Sequence, residues 1–310
     1  MGDVNQTFFL SLCVIGLGYL FKRLKILNEN DGKTLSKIIF NITLPGVILY
    51  TIPTIDLNIA LIIMPVVCIA FSGILAIICW NLYKKYSGEL KGVMLMSTLG
   101  FNVGNFAYPL VEGVWGVEGL QYVAMFDVGN AIVIFVMIYI FAAIHSPKMV
   151  ETGQKVDPKE IGKKIGRSIP LMCYFIGLII NASGAQVPVL LNEFFGIIAR
   201  ANMAIVLLTL GIFLNFNFEK YEWKNMWKVI GIRYLAGISV GLLLYYTLPF
   251  EPFVRLIIFV SLIIPIGMAI ITYGVEFEYS DKSQQIIGTL TNITMIISFF
   301  LMWILILLLN

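Results

Sequence analysis

Charged side chains, histidine and paired cysteines are scarce in this sequence, and each shortage excludes a class of function. Only 13% of the 310 residues are charged, and His145 is the single histidine. One histidine cannot supply the ligands of most metal sites, and no serine or cysteine has an evident base partner. The four cysteines form no C-x-x-C pair, which argues against a zinc framework. We therefore expect no enzymatic activity, no metal and no cofactor.

A nucleotide-binding signature is also missing. The sequence contains no G-x-x-x-x-G-K-S/T phosphate loop and no polar stretch long enough for a sizeable soluble domain. ATP is therefore not expected to be an energy source. The net charge of +3 comes from loop lysines, so it gives no reason to expect a nucleic-acid partner.

Apolar residues dominate the chain, at 59% of the total. Runs long enough to cross about 30 Å of hydrocarbon predict an all-α, multi-pass membrane protein surrounded by lipid. In the first half the predicted spans are 6–24, 35–54, 59–82, 92–111 and 119–144. In the second half they are 168–184, 193–214, 227–247, 253–275 and 285–309. Residues 1–147 and 168–310 then form two five-span units, joined by the polar linker 148–167.

The loops differ sharply in charge. Those after predicted spans one, three, five and seven are rich in lysine, whereas the alternate loops contain acidic residues and no lysine or arginine. By the positive-inside rule the basic loops are cytoplasmic, which places both termini outside. Because each unit has an odd number of spans, the second unit is predicted to run inverted relative to the first.

Predicted spans four and nine contain glycine and proline in their interiors, at 100–110 and 263–274. Each unpaired backbone group in hydrocarbon costs several kcal/mol, so such breaks are tolerated only where they face protein, a cavity or a solute. One broken span in each half is typical of a secondary transporter with a midplane substrate site. We therefore predict that the break residues bind the substrate: Asn102, Gly104, Asn105, Pro109, Pro265 and Gly267.

Two ionisable residues are predicted to lie buried inside spans. Arg200, in span seven, carries a planar guanidinium that matches a carboxylate, and we predict that it is the counter-charge of an anionic substrate. The alternatives are that it pairs with Asp127 or Glu193, or caps loose backbone carbonyls. Asp127, in span five, is a candidate for proton coupling, since burial would raise its proton affinity. The alternative for Asp127 is a structural acid at the end of a broken helix.

Three further asparagines lie inside predicted spans. Asn41 and Asn202 occupy roughly equivalent positions in spans two and seven. Intramembrane asparagine more often bridges helices than binds a ligand, so both are second-rank candidates for substrate binding. Asn130 follows Asp127 by one turn and is expected to support it.

Several motifs resemble those of the auxin efflux carrier family. Residues 35–45, LSKIIFNITLP, resemble its second span, and residues 102–110, NVGNFAYPL, resemble its broken fourth span. Residues 116–130, which begin GVEGL and continue to a Phe-Asp pair and an asparagine, look like its fifth span. The resemblance follows the whole chain in order, which makes it more specific than any single motif.

This resemblance implies ten helices in two inverted five-helix repeats, with helices four and nine unwound and crossing near mid-membrane. It also implies a scaffold of spans 1, 2, 6 and 7, an elevator-like transport core of spans 3–5 and 8–10, and a homodimer. Bacterial members are similar to malate and other organic-acid permeases, which implies a prokaryotic inner membrane.

The combined expectation is a secondary transporter, either a permease or an efflux carrier, for a small organic anion such as malate. Access would alternate at the crossed helices, with coupling to a proton or sodium gradient. One alternative is a sodium-coupled transporter of a cation or a bile-acid-like solute. Another, from a different class, is a membrane sensor that binds a ligand without moving it.

Overall fold

The computed structural model describes residues 4–55, 57–86, 88–152, 157–215 and 222–309. Within these ranges the regular structure is helical and contains no strand. Residues 153–156, inside the predicted linker 148–167, lie outside the described residues.

The α-helices of the described residues are α1 (Val4–Arg23), α2 (Glu29–Ile38), α3 (Leu44–Thr51), α4 (Ile59–Leu82), α5 (Gly88–Thr98), α6 (Tyr108–Ile132), α7 (Tyr139–Ile144), α8 (Pro147–Thr152), α9 (Pro158–Arg167), α10 (Ile169–Ser183), α11 (Val189–Phe213), α12 (Trp223–Thr247), α13 (Pro252–Leu262), α14 (Ala269–Glu276) and α15 (Asp281–Leu309). Turns of π-helix occupy Ile39–Thr43, Val103–Ala107 and Val133–Ile138, and a 3-10 turn occupies Ile52–Thr54.

Seven helical stretches in the described residues are long and apolar enough to cross a membrane: Val4–Arg23, Glu29–Thr54, Ile59–Leu82, Val103–Ile144, Val189–Phe213, Trp223–Thr247 and Asp281–Leu309. An eighth is reached if the bent pair Ile161–Arg167 and Ile169–Ser183 is counted as one span. The prediction of an all-α, multi-pass membrane protein is therefore confirmed. Fewer than ten stretches in the described residues are long enough, because the breaks leave α5, α13 and α14 as short helices, and the rest of predicted span four continues into span five within Val103–Ile144.

The predicted boundary between spans four and five falls at a sharp kink within the range of α6, where two helical segments meet. Gly116 adopts φ 64° and ψ −153° within this helix. That backbone conformation is essentially restricted to glycine, so the chain can bend sharply there while the flanking residues stay helical.

The chain forms two compact units. Unit 1 comprises Met1–Ile62, Val103–Val128 and Ile165–Leu214. Within it α1 lies directly against α11, because glycines on both helices let the backbones approach. A Cβ on Gly211 would lie 2.0 Å from the Ile15 carbonyl oxygen, and one on Gly18 would lie 2.3 Å from the Leu208 carbonyl oxygen. Small residues at such crossings are typical of membrane helices, whose association depends on close packing.

Unit 2 comprises Ile63–Asn102, Gly129–Lys164 and Asn215–Asn310. Hydroxyl groups join its helices. The Tyr234 hydroxyl, on α12, donates 2.8 Å to the Thr294 carbonyl on α15, and Ser298 of α15 donates 2.7 Å to the Ile263 carbonyl just after α13. These bonds hold the end of α13 against α12 and α15, which positions the second break.

A polar network joins the N-terminal ends of α5 and α15 in unit 2. The Glu89 carboxylate accepts hydrogen bonds from the Ser280 and Ser283 hydroxyls, both at 2.6 Å, and from the Ser280 backbone N–H at 2.9 Å. Partial burial raises the pKa of the Glu89 carboxyl, but these hydrogen bonds outweigh it and lower the pKa below its usual value. The ionised carboxylate therefore stabilises the contact between the two helices.

Replacing Gly211 by alanine should destabilise the protein by about 1–3 kcal/mol, because the added methyl group meets the α1 backbone, which cannot move aside cheaply. Thermal unfolding of the purified protein in lipid nanodiscs measures the effect. Gly16→Ala is the matched control on α1, since a Cβ at Gly16 would have no neighbour within 4 Å among the residues that the structure describes. Equal melting temperatures for the two variants would contradict the close approach of α1 and α11.

Stability should fall with acidification partly through Glu89. Its pKa is lowered in the folded protein, so its contribution is present above the unfolded-state pKa of about 4.3 and is lost as the pH falls through the folded-state value. Melting temperatures measured down a pH series should therefore drop less for Glu89→Gln than for the wild type. The exposed Glu151 provides the control substitution Glu151→Gln. Parallel acid profiles for Glu89→Gln and the wild type would refute this assignment.

Candidate functional site

The first predicted break is present in the structure. Helix α5 ends at Thr98, residues 99–102 are not helical, and the π-turn Val103–Ala107 leads into α6. Gly100 has φ 66°, which is in the left-handed region that favours glycine. Gly104, Asn105 and Pro109 follow the break and are buried.

The second predicted break is also present, and within unit 2 it contacts the first. Helix α13 ends at Leu262 and α14 begins at Ala269. The backbone N–H of Asn102 donates a 2.9 Å hydrogen bond to the Pro265 carbonyl. Gly267 is buried, and a Cβ there would lie 3.1 Å from the Phe101 carbonyl oxygen. The two interrupted helices therefore meet through backbone atoms.

Arg233, on α12, binds the loose carbonyls of both breaks. Its side chain is buried, with 2% exposure. One terminal nitrogen, Nη1, donates to the Thr98 carbonyl at 2.9 Å. The other, Nη2, lies at hydrogen-bond distance from the carbonyls of Gly100 (2.7 Å), Ile264 (2.8 Å) and Pro265 (3.1 Å). The guanidinium also lies over the Phe101 ring, 4.8 Å from its centroid. One cation thus satisfies backbone groups that the breaks release from helical pairing.

Arg233 is not among the site residues predicted from the sequence, whereas Arg200 is. Arg200 is exposed on α11, so the prediction that it is a buried base is wrong. Its neighbours Ala199 and Asn202 face inward, and successive helical residues are rotated by about 100°, which turns Arg200 outward. Arg233 lies inside predicted span eight, 227–247, and an arginine within a span is a signal that the sequence does carry.

Asn130 binds the first break. Its Oδ1 accepts a hydrogen bond from the Phe101 backbone N–H, and its Nδ2 donates to the Phe101 carbonyl, both at 2.9 Å. This pair of bonds replaces the helical pairing that Phe101 lacks. The sequence had suggested a supporting role beside Asp127, whereas the structure gives Asn130 a role at the break itself.

Asn102 presents an amide group at the point where the breaks meet. Its side chain is buried, with 4% exposure, and its Nδ2 has no hydrogen-bond partner among the described residues. A buried amide without a partner costs about 1–3 kcal/mol, so such a group is a functional candidate. It is a donor, and therefore suits an oxygen of a bound molecule.

Unit 1 contains a buried pair of polar residues, Thr43 and Asn202. The Thr43 hydroxyl donates a 2.7 Å hydrogen bond to Asn202 Oδ1, both residues are buried, and Asn202 Nδ2 has no partner among the described residues. Gly104 lies beside Leu44, the residue that follows Thr43, since a Cβ added at Gly104 would be 3.1 Å from a Leu44 methyl carbon. Asn41 does not join this pair: it is exposed and donates to the Lys37 carbonyl of its own helical segment.

Asp127 lies in unit 1 with two tyrosines that were not among the predicted site residues. Its Oδ2 accepts hydrogen bonds from the hydroxyls of Tyr174 (2.9 Å) and Tyr108 (3.3 Å), and the two hydroxyls also contact each other. Tyr108 begins α6 and Tyr174 lies on α10, so no local sequence pattern could reveal the group.

Comparison with known proteins supplies the family. Residues 6–306 match the family model described as membrane transport protein, which is the model of the auxin efflux carrier family. The chain belongs to this family. The resemblance drawn from the motifs is thereby confirmed.

Two archaeal relatives of this family member are similar along most of their length. An uncharacterized transporter of Methanothermobacter thermautotrophicus is 25% identical over 252 residues, covering 80% of each chain. An uncharacterized transporter of Methanocaldococcus jannaschii is 24% identical over 284 residues, covering 87% of this chain and 88% of the relative. Both are named as transporters, in agreement with the membrane-spanning helices of this auxin efflux carrier family member.

Arg233→Met should destabilise this transporter family member by about 3 kcal/mol or more, because it leaves buried carbonyls of both breaks without a donor. Arg233→Lys should cost less, since lysine keeps the charge and three donors. Thermal unfolding in nanodiscs gives the comparison. Arg255→Met is the control on α13, where the arginine binds the single carbonyl of Tyr245. If Arg233→Met were no more harmful than Arg255→Met, the assigned role would be wrong.

Proposed function

We propose that this protein is a secondary active transporter of a small organic anion, such as malate, in the cell membrane of a prokaryote. The observation that carries the proposal is the buried guanidinium of Arg233 where the two broken helices meet. Beside the same backbone contact lies the amide nitrogen of Asn102, which has no hydrogen-bond partner within the described ranges. The family, whose members transport solutes across membranes, supplies the class of function.

The charge of Arg233 supports an anionic substrate. Arginine stays protonated at any physiological pH, and the hydrogen-bond partners of Arg233 in the described residues are backbone carbonyls and no carboxylate. A positive charge without an acidic partner creates a positive potential, which is strong where the surroundings have a low dielectric constant. A carboxylate could accept from Asn102 Nδ2 within that potential. We therefore assign to Arg233 the counter-charge role first considered for Arg200.

The same geometry weakens the sodium alternative. A cation site at broken helices needs several available oxygens, commonly unwound backbone carbonyls. Here the carbonyls of Thr98, Gly100, Ile264 and Pro265 already accept hydrogen bonds from Arg233. The guanidinium charge would also repel a cation at that point. Transport of a cation, or sodium binding at the breaks, is therefore less favoured than transport of an anion.

We further propose the finer architecture: ten helices in two inverted repeats, both termini outside, and a homodimer. The contact between the two breaks supports a crossing of helices four and nine. Unit 1 contains predicted spans 1, 2, 6 and 7, which supports their grouping as a scaffold, and it also contains residues 103–128 from spans four and five. Movement of the remaining core relative to this scaffold would alternate access.

Binding can be tested by thermal unfolding in nanodiscs with a panel of mono- and dicarboxylates, including malate, with and without sodium. A ligand at 100 times its Kd stabilises the folded state by about 2.7 kcal/mol. We expect at least one carboxylate to raise the melting temperature without sodium. Asn102→Asp replaces the donor by an anionic acceptor. It should weaken the binding of that carboxylate by about tenfold or more, which corresponds to about 1.4 kcal/mol.

Asn81→Asp is the matched control for Asn102→Asp, because Asn81 is exposed at the end of α4 and donates to the Ile77 carbonyl of its own helix. Asn81→Asp should leave unchanged the rise in melting temperature that the carboxylate causes. A panel in which sodium or a neutral solute stabilises the protein and no carboxylate does would refute the organic-anion proposal. Uptake of the stabilising carboxylate into proteoliposomes separates a transporter from a membrane sensor, which would bind without uptake.

A further inference from the structure

The single histidine of the sequence, His145, lies at the C-terminal end of α7, directly after the membrane-spanning stretch Val103–Ile144. Its side chain is half-buried in unit 2. The Nδ1 atom of the ring lies 3.1 Å from the Phe141 carbonyl oxygen. A carbonyl oxygen can only accept, so the neutral ring carries its hydrogen on Nδ1 and donates it there. Nε2 is therefore the atom that gains a proton when His145 becomes charged.

The ring of His145 packs against an indole that already binds a cation. The centroids of the Trp80 and His145 rings are 5.9 Å apart, and the two planes meet at 71°. The Lys91 ammonium lies over the same indole, 4.0 Å from its centroid. The α5 backbone also approaches closely, since a Cβ added at Gly92 would lie 2.7 Å from His145 Cβ. Protonation would therefore bring a second positive charge into a tightly packed group.

These surroundings disfavour the charged form of His145. Burial lowers the pKa of the imidazole below its usual value of about 6.5, and the positive charge of Lys91 also lowers it, whereas the hydrogen bond to Phe141 acts in the opposite direction. The folded protein therefore binds this proton less readily than the unfolded chain does. The stability that the neutral ring contributes is complete above the unfolded-state pKa of about 6.5, and it falls as the pH drops from there towards the folded-state pKa.

Charged and titratable groups reach this region from three elements, while α4 contributes only an uncharged indole. From α5 comes Lys91, and the acid at the start of the same helix binds the N-terminal end of α15. The turn after α14 contributes Tyr279, and burial raises the pKa of its phenol, which stays neutral where histidine titrates. The same turn contributes Glu278, which pairs with Lys148 of α8 so that the two charges offset each other. Lys91 is thus the charge that opposes protonation.

Residues on both sides of His145 bind the end of α14, the half-helix that follows the second break. The buried Ser146 hydroxyl donates a 2.8 Å hydrogen bond to the Phe277 carbonyl. In the other direction, the Tyr279 hydroxyl donates 2.9 Å to the Ala142 carbonyl of α7. Because α14 has only eight residues, holding its far end also holds the break at its near end. The packing of α7 around His145 is therefore connected to the broken helix.

We propose that His145 senses the pH on the predicted cytoplasmic side of the membrane and regulates transport through α14. While the ring is neutral it packs against Trp80, and α7 holds the end of α14. As the pH falls, the imidazolium moves away from Lys91 towards water, which loosens the contact between α7 and α14 and slows transport. His145 is a positioning residue, since it acts on the break through α14. This inference rests on the proposed transport function and adds its regulation.

Nuclear magnetic resonance of the untagged protein in nanodiscs, with ¹⁵N-labelled histidine, measures the titration without a substrate, because the sequence supplies one imidazole. The midpoint should lie below about 6.5, and it should rise in Lys91→Met, which removes the opposing charge. Lys159→Met changes an exposed lysine of α9 and is the control, which should keep the wild-type midpoint. A midpoint at the ordinary value of histidine, or one that is unchanged in Lys91→Met, would overturn the proposal.

Uptake by proteoliposomes with the same pH on both sides gives the functional readout, using the carboxylate that stabilises the protein. Uptake should fall as the pH passes down through the measured midpoint of His145. His145→Asn should lack this fall, because its amide can still donate to the Phe141 carbonyl and does not titrate. Lys91→Met should move the fall to higher pH together with the resonance midpoint, which a merely structural histidine would not do. Identical pH profiles for the wild type and His145→Asn would contradict the sensor role.

Hydrogen exchange of residues 269–279 separates the failure of this inference from that of the transport proposal. Well below the midpoint this segment should exchange faster in the wild type than in His145→Asn at the same pH, and well above it the two should agree. That result without any carboxylate binding would refute the organic-anion proposal and support the pH-sensitive contact. Carboxylate uptake with equal exchange in both proteins would refute the sensor role and leave the organic-anion proposal intact.

Discussion

The backbone pairing of the two broken helices is the constraint on which the rest of the structure depends. Inside a membrane, water is not available to satisfy a carbonyl or an N–H that leaves a helix. The breaks release such groups between α5 and α6 and between α13 and α14. Arg233 and Asn130 take them up, and the Asn102–Pro265 hydrogen bond joins the breaks directly. Without these partners the interruptions would cost several kcal/mol each.

The binding of the released carbonyls by Arg233 has an electrostatic consequence. Satisfying carbonyls with a guanidinium brings a permanent positive charge to the place where the helices open, and its hydrogen-bond partners there are neutral. The proposal of an anionic substrate rests on this charge, while the Asn102 amide adds a donor without adding charge. A structural requirement and the proposed preference for an anion thus rest on one side chain, which connects the fold of this transporter family member to the class of its proposed substrate.

Much of the fold could be predicted from the sequence. The apolar runs indicated a helical, multi-pass membrane protein, and the glycines and prolines of 100–110 and 263–274 marked both breaks. The candidate site was predicted less completely. Asn102 and Asn202 are buried, and their amide nitrogens have no partner in the described part of the chain, as binding candidates can be, but Asn41 is exposed. Inside an apolar span the sequence carries little contrast between the inward and outward faces of a helix, so the orientation of a single polar residue is hard to predict.

The sequence by itself determined the helical membrane architecture, the positions of the breaks and the family, because hydrophobic length, glycine and proline act locally along the chain. Only the tertiary structure decided which arginine is buried. It also brought Tyr174 to Asp127 and placed Asn130 on the backbone of Phe101. These outcomes depend on which helix faces pack together, since the partners lie far apart along the chain.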